Sequence, residues 1–447
     1  MAADRLAARV VLTGLASLTG LTGLTGLTGC SDRHEPTHYC DDESSLAIGA
    51  DCPIGLESCQ TAVFDATRCV RRSDGESPPV RVITEAQYDE ELEGPAQDAD
   101  AGVEDARVDH WDEALRLLRL LEPETDRSEA FQEESSSRVA AYYSGFYRDV
   151  TIIDRQDDGD AEGRMRTLAH EYVHALQDTD FGLAERRGRF SYDDDNIIAL
   201  SHLTEGEATL RAELTYGLLR SIPPESLHLE DHFARRVAGI KSYVASHASP
   251  YVAAKRSLHY GTGPLYFAQV FAAEGSDGVD DLMAWFPLTS VQWMAGYHAR
   301  ELYAAEQPLQ CRSREGPDGY SAYATDVLGA AVLFAFLSSE RTGGRYELAS
   351  AWDLALAWRA EQYIVFAADG DDDHTALIWQ LRFATEDRAD EFGAAADDMN
   401  AGWTILQDGR ELRLFAATDP DVMETWIDEA RCEPDRAADE AAADADD

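Results

Sequence analysis

His170-Glu171-Tyr172-Val173-His174 sets two imidazoles four residues apart with a carboxylate beside the first. On a helix, positions four apart share a face with their Cβ atoms close, so both rings can reach one metal ion. Glu171 is turned by a single residue step, which puts its carboxylate beside a metal-held water rather than on the metal. Zinc lowers the pKa of such a water to about 7. Glu171 can then act as general base and pass the proton to a departing amine. The motif lies within Leu168 to Leu176, a stretch otherwise without charge. Two histidines and a glutamate are costly to bury there unless they have partners, and a metal supplies them.

Hydrolytic zinc sites hold the ion by three protein ligands and keep one position open. A third histidine at the H-E-x-x-H-x-x-G-x-x-H spacing is absent, because Gln177 and Asp180 stand at those positions. Glu205-Gly206-Glu207-Ala208 offers the missing ligand instead. Residues two apart point to different faces of a helix, so only one of these glutamates reaches the metal. Glu205 is the expected ligand, with His202 as its rival. Glu207 is expected to support the site from behind or to pair with Arg211 at i,i+4. Gly206 lacks a side chain and lets two helices approach closely.

These residues resemble a family. H-E-x-x-H on one helix with a glutamate on a later one is similar to the gluzincin, or thermolysin-like, zinc metallopeptidases. Thr167 to Asp178 followed by Leu203 to Thr209 also resembles a group of bacterial exported proteins with H-E-x-x-H-A-L-Q-D and then E-G-D/E-A. The likeness extends in weaker form to Tyr260–Phe267, Pro287–Gln292 and Trp358–Tyr363, so it covers roughly residues 139 to 392. It implies a zincin-like fold, with His170, His174 and Glu205 holding Zn2+ and Glu171 as the base. It also implies that Tyr143-Ser144-Gly145-Phe146-Tyr147 and the strand after it form the edge that aligns a peptide substrate. Hydrolysis needs a donor for the developing oxyanion, and gluzincins commonly use a tyrosine or histidine. Tyr260 and His259 are the candidates, with His298 and Arg300 behind them.

The elements that must position these groups read as α+β and mainly helical, with a small sheet and a helical C-terminal half. Helical periodicity covers residues 111–121, 162–177, 201–220, 233–244, 263–273, 322–337 and 349–358. Val150–Ile153 reads as a strand, and 363–367 with 375–383 as a hairpin around Asp369-Gly370-Asp371. Asp193-Asp194-Asp195 and Asp369 to Asp373 lack EF-hand spacing and read as solvated loops, with calcium as the rival.

Ahead of the motif, Arg5 and Arg9 precede an apolar run of Leu-Thr-Gly triplets that ends at Cys30. A basic start, an apolar middle and small residues at the cut describe a secretory signal over residues 1–29. Leu27-Thr28-Gly29-Cys30 looks like a bacterial lipobox, which implies lipidation of Cys30 and a membrane anchor. Ser31 favours the outer membrane of a Gram-negative envelope. Seven cysteines less Cys30 leave six, an even number that suits an oxidising compartment. Cys40, Cys52, Cys59 and Cys69 should pair among themselves, with Cys311 and Cys432 as a long-range staple. The expected organisation is a Cys-rich segment over 30–72 with no core of its own, then an acidic linker over 73–107. The metallopeptidase domain follows over 108–432, and an acidic tail over 433–447.

The bulk numbers bound the partners. Of 447 residues, 44% are apolar, enough for a substantial core. Asp and Glu outnumber Lys and Arg by 85 to 38, for a net charge of −47, and a field of that sign repels phosphate backbones. Nucleic acid is thereby excluded, and the expected substrate is a peptide or protein. Two rivals stand beside that reading: a non-catalytic envelope protein that keeps zinc for structure, and a zinc amidase acting on cell-wall peptide.

Overall fold

The computed structural model describes residues 53–93, 108–136, 139–154, 161–183, 193–284, 289–299, 309, 316–340, 346–399 and 402–429. It begins with helix α1 (Glu57–Arg71), strand β1 (Val80–Thr84) and helices α2 (Glu85–Glu93), α3 (Val108–Leu117) and α4 (Arg127–Ser136). A hairpin of β2 (Ala141–Ser144) and β3 (Asp149–Asp154) leads into α5 (Ala161–Phe181) and α6 (Asp194–Leu219). Then come α7 (Leu229–Ser246), α8 (Pro250–Ser257), α9 (His259–Ala284) and α10 (Ser290–Ala295). The C-terminal part runs β4 (Tyr320–Asp326), α11 (Gly329–Ser338), α12 (Leu348–Ala355), β5 (Trp358–Ala368), β6 (Asp371–Phe383), α13 (Glu386–Asp398), β7 (Thr404–Asp408), β8 (Glu411–Ala417) and α14 (Pro420–Glu429). The whole is an α+β fold, mainly helical, with two small sheets.

Helix α6 is the central post. It is buried almost all round from Ile198 to Leu219, including His202, Glu207 and Arg211, so its charged side chains find their partners inside the fold. Asp193 caps its start by accepting the N–H of Asn196 at 2.8 Å. Helix α5 packs on one side of it and α9 on another. The α5 contact uses Met165, Leu168, Tyr172 and Leu176, which recur at helical spacing and join Leu203, Leu210, Phe233 and Phe267 in one core. The α9 contact is made by glycines. A Cβ on Gly206 would lie 2.8 Å from the carbonyl carbon of Gly263, and one on Gly263 would lie 2.6 Å from the carbonyl oxygen of His202. The two backbones touch, so Gly206 admits α9 at close range, where the sequence reading expected the helix of His170 and His174.

The first sheet has the order β1-β3-β2, with β1 parallel and β2 antiparallel to β3. The second has the order β4-β5-β6-β8-β7 and is antiparallel throughout. Glu361 of β5 joins that second sheet to the helices. Its buried carboxylate accepts from Leu328 N (2.8 Å), Gly329 N (3.0 Å), Trp358 Nε1 (2.9 Å) and Trp379 Nε1 (2.8 Å). Burial pushes this carboxyl up to about 7 against the pull of the four donors.

Several sequence expectations are corrected. Residues 57–71 do not stand apart as a coreless segment: Val63, Phe64 and Val70 enter the main core, and Phe64 meets Tyr172 edge-on at 5.2 Å. The supposed linker holds β1 and α2 within residues 80–93. Its Val-Arg-Val-Ile-Thr run has β-branched residues that pair in register with Val150–Asp154, and Ile83 and Tyr88 pack on Ile153. The domain that carries His170 and His174 therefore starts well before Val108. The C-terminal half is not helical overall, because residues 320–326 and 404–417 are strands. The helix expected over 322–337 begins only at Gly329, since 320–326 pair with β5. Asp193, Asp194 and Asp195 are no solvated loop. Lys255 Nζ holds Asp194 at 2.6 Å together with Tyr251, and Ser290 N donates to buried Asp195 at 3.1 Å.

Cys59 and Cys69 lie ten positions apart on α1, about 15 Å along its axis, too far for a bond to one another. Their expected partners Cys40 and Cys52, like Cys30, Cys311, Cys432, residues 1–29 and the tail, fall outside the described residues. Among the described residues no helix is long and apolar enough to cross a membrane.

Candidate metal centre

Helix α5 turns its apolar stripe to the core and brings His170 and His174 up beside Glu205 of α6. His170 Nε2 stands 3.0 Å from His174 Nε2 and 3.0 Å from Glu205 Oε2, and His174 Nε2 stands 3.4 Å from the same oxygen. Ligands about 2.0–2.1 Å from a tetrahedral zinc stand about 3.3 Å from each other. The observed triangle therefore fits three corners of that tetrahedron. Among the described residues this is the one group of three or more side chains so arranged. Burial opposes charge on His174, but Glu205 and Glu171 outweigh it and raise the imidazole to about 9. Glu205 is likewise held well below the carboxylate range, burial being overcome by the two histidines. A field that stabilises an imidazolium at this point also stabilises a metal cation there.

Behind the triangle lies a connected set of polar groups. His174 Nδ1 is 2.9 Å from Gln177 Oε1. The other end of that amide donates to the Thr204 carbonyl and to Glu207 Oε2, each at 2.9 Å. Both of those partners only accept, so the amide orientation is fixed and His174 Nδ1 donates, which makes Nε2 the nitrogen available to a metal. Glu207 is fully buried, with its Oε1 3.3 Å from Arg71 Nε and 3.6 Å from Arg211 Nε. The pairing of Glu207 with Arg211 matches the sequence expectation. The role of Gln177 was missed, though its place three residues after His174 put it on the same face. Arg71 carried no sequence signal at all.

Glu171 is 7% exposed, and its Oε2 accepts the backbone N–H of Tyr143 at 2.9 Å. Burial raises its pKa, with His170 and His174 pulling the other way. Tyr143 also donates its hydroxyl to Asp178 at 3.0 Å, which ties β2 to α5 a second time. Ala140 O accepts from Ile153, so the even-numbered residues of β2 face β3 while Tyr143 faces outward. Among the described residues no strand pairs with the outer edge of β2, which runs past Glu171.

Tyr260 is at the site: its ring lies 6.3 Å from that of His170, and burial, with the nearby Glu205 carboxylate, pushes its hydroxyl pKa up. His259 sits behind it, buried, 4.3 Å from the Tyr260 ring, and burial lowers its pKa to about 4. His202 is not in the metal triangle. It donates Nδ1–H to Ile198 O at 2.7 Å, stacks on Trp293, and burial takes it to about 3. His298 is exposed beside Tyr297, and Arg300 lies outside the described residues.

No protein-family model matches the chain, and neither curated proteins nor solved structures yield a match.

Proposed function

We propose that the chain is a zinc-dependent peptide-bond hydrolase, gluzincin-like in its ligand set and tethered to the bacterial envelope through Cys30. One observation carries the reading: three ligand atoms converge at zinc spacing next to a buried carboxylate that is not one of them. A zinc held for structure alone has no use for such a base, which favours hydrolysis over a scaffold role.

Bound there, zinc would lower the pKa of a coordinated water to about 7 and polarise the scissile carbonyl. The chain's own residues do the rest. Glu171, oriented by Tyr143 N–H, takes a proton from the attacking water and delivers it to the departing nitrogen. A peptide laid along the outward edge of β2 would bond to backbone groups at Ala141 and to the carbonyl of Tyr143, whose N–H serves Glu171, and this would hold its own carbonyl near the metal. Tyr260, beside His170, would donate to the oxygen as charge develops on it.

The test is metal content and peptide turnover of the purified chain. About one zinc per chain, lost in His174→Ala, together with cleavage of a mixed peptide library, supports the reading. A metal-free protein prepared without chelators would overturn it. Zinc binding with action only on cell-wall peptide would move the reading to an amidase.

A further inference from the structure

We infer that Arg71 is a positioning residue for the metal: helix α1 sets the coordination geometry of His174 through two intervening side chains. The inference rests on the zinc reading above and adds a segment that lies some hundred positions ahead of the first ligand.

The path is continuous. Arg71, 4% exposed at its side chain, approaches Glu207 Oε1 with its Nε at 3.3 Å and pairs through Nη1 with Asp180 at the end of α5. Glu207 Oε2 takes a hydrogen of Gln177 at 2.9 Å, and Gln177 Oε1 takes the proton of His174 Nδ1 at 2.9 Å. Each link fixes the next. The carboxylate dictates which end of the amide faces it, the amide end dictates which imidazole nitrogen is protonated, and that nitrogen leaves the other for the metal. A buried carboxylate between two guanidinium groups is held in place; between one and none it must find other partners. Gln177 is its nearest uncharged neighbour. An amide turned over would present N–H to His174 Nδ1 and force the ring proton onto Nε2, where the metal should sit.

Arg211 cannot substitute for Arg71 in this task. It is 3.6 Å from Glu207 and already committed to Val70 O at 2.8 Å and Asp280 at 2.7 Å. Its bond to Val70 fastens the end of α1, so the two arginines clamp Glu207 from opposite elements. Arg72, the neighbour of Arg71, pairs instead with Asp277 on the surface.

The experiment is a double-mutant cycle on the full chain, read as zinc affinity by chelator competition and as the visible spectrum of the cobalt-substituted protein. Arg71→Met should weaken zinc binding by about 10–100-fold and alter the cobalt spectrum, while Arg72→Met leaves both unchanged. Gln177→Leu should cause a similar loss, and the double variant should lose no more than Gln177→Leu alone, because both act on one path. Unchanged affinity in Arg71→Met, or two losses that multiply, would overturn the inference while leaving the zinc site standing. A wild type that takes no zinc would instead end the underlying reading. If Arg71→Met does not fold, Arg71→Lys replaces it, and the same non-additivity with Gln177→Leu decides.

Discussion

The backbone N–H of Tyr143 donates to the carboxylate of Glu171 across 2.9 Å, joining the edge strand to the carboxylate beside His170, His174 and Glu205. If Glu171 is the base proposed above, this one bond aims it and sets its distance from any chain laid along β2. Glu171→Gln keeps an oxygen to accept that N–H and keeps the side-chain volume. It should retain zinc and lose turnover by about 10²–10⁴-fold. Metal analysis beside initial rates checks this, and unchanged rates would remove the base assignment.

Glu205 and Glu207 differ in kind. Glu205→Ala deletes a corner of the ligand triangle and should abolish stoichiometric zinc. Glu207→Ala disturbs only the orientation of Gln177 and should cost about 10–100-fold in affinity. Equilibrium dialysis against a buffered zinc series separates the two, and the reverse order would exchange their roles.

Tyr260 lies beside His170 but is not one of the three converging groups. Tyr260→Phe should keep zinc and lower kcat by about 10²–10³-fold, the usual cost of one oxyanion donor. If KM alone rose, the tyrosine would be binding substrate rather than stabilising charge.

Stability should depend on pH through Asp195. Burial, opposed by the donors of Ser290, lifts this carboxyl to about 8, whereas in the unfolded chain it titrates near 4. Between those values the folded state holds a proton that the unfolded state has released. Asp195 therefore contributes most below about pH 4, and that contribution is lost as pH rises to about 8. Urea unfolding at about pH 5 and about pH 8.5 should show a fall in the wild type that Asp195→Asn reduces. Equal slopes in the two proteins would refute it.

How much was legible in advance follows from contact range. His170, Glu171 and His174 sit within one and a half turns of one helix, so spacing alone brings the two rings together. Glu205 was readable because a two-residue offset forbids its neighbour from sharing the task. Gly206 was readable as a close-approach position, though not its partner, which lies on α9. Tyr143 and Arg71 were out of reach as supporting groups: their bonds join residues 28 and 136 positions away, and nothing local marks them. The strands after residue 400 did carry a signal that went unused. Asp408-Gly409 separates Thr404–Leu406 from Leu412–Leu414, an aspartate-glycine turn between apolar runs, and Gly409 takes a φ of 57° there. Residues 322–326 misled because alanine and tyrosine sit well in either period, and only the pairing with β5 decides.

The bond from Arg211 to Val70 closes a loop of 141 residues. A chain is made from its N-terminus, so α1 emerges long before the helices that will hold it. Parallel pairing of β1 with β3 imposes a similar delay, since neither strand can be zipped from a local turn. Loop closure on this scale costs entropy that no early contact offsets. The ligand pair on α5 is complete before α6 arrives, and a free metal could be caught by two imidazoles alone. The order of assembly thus sets a window in which the triangle of His170, His174 and Glu205 is half-built, and Tyr260 and Asp280, the partner of Arg211, come later still.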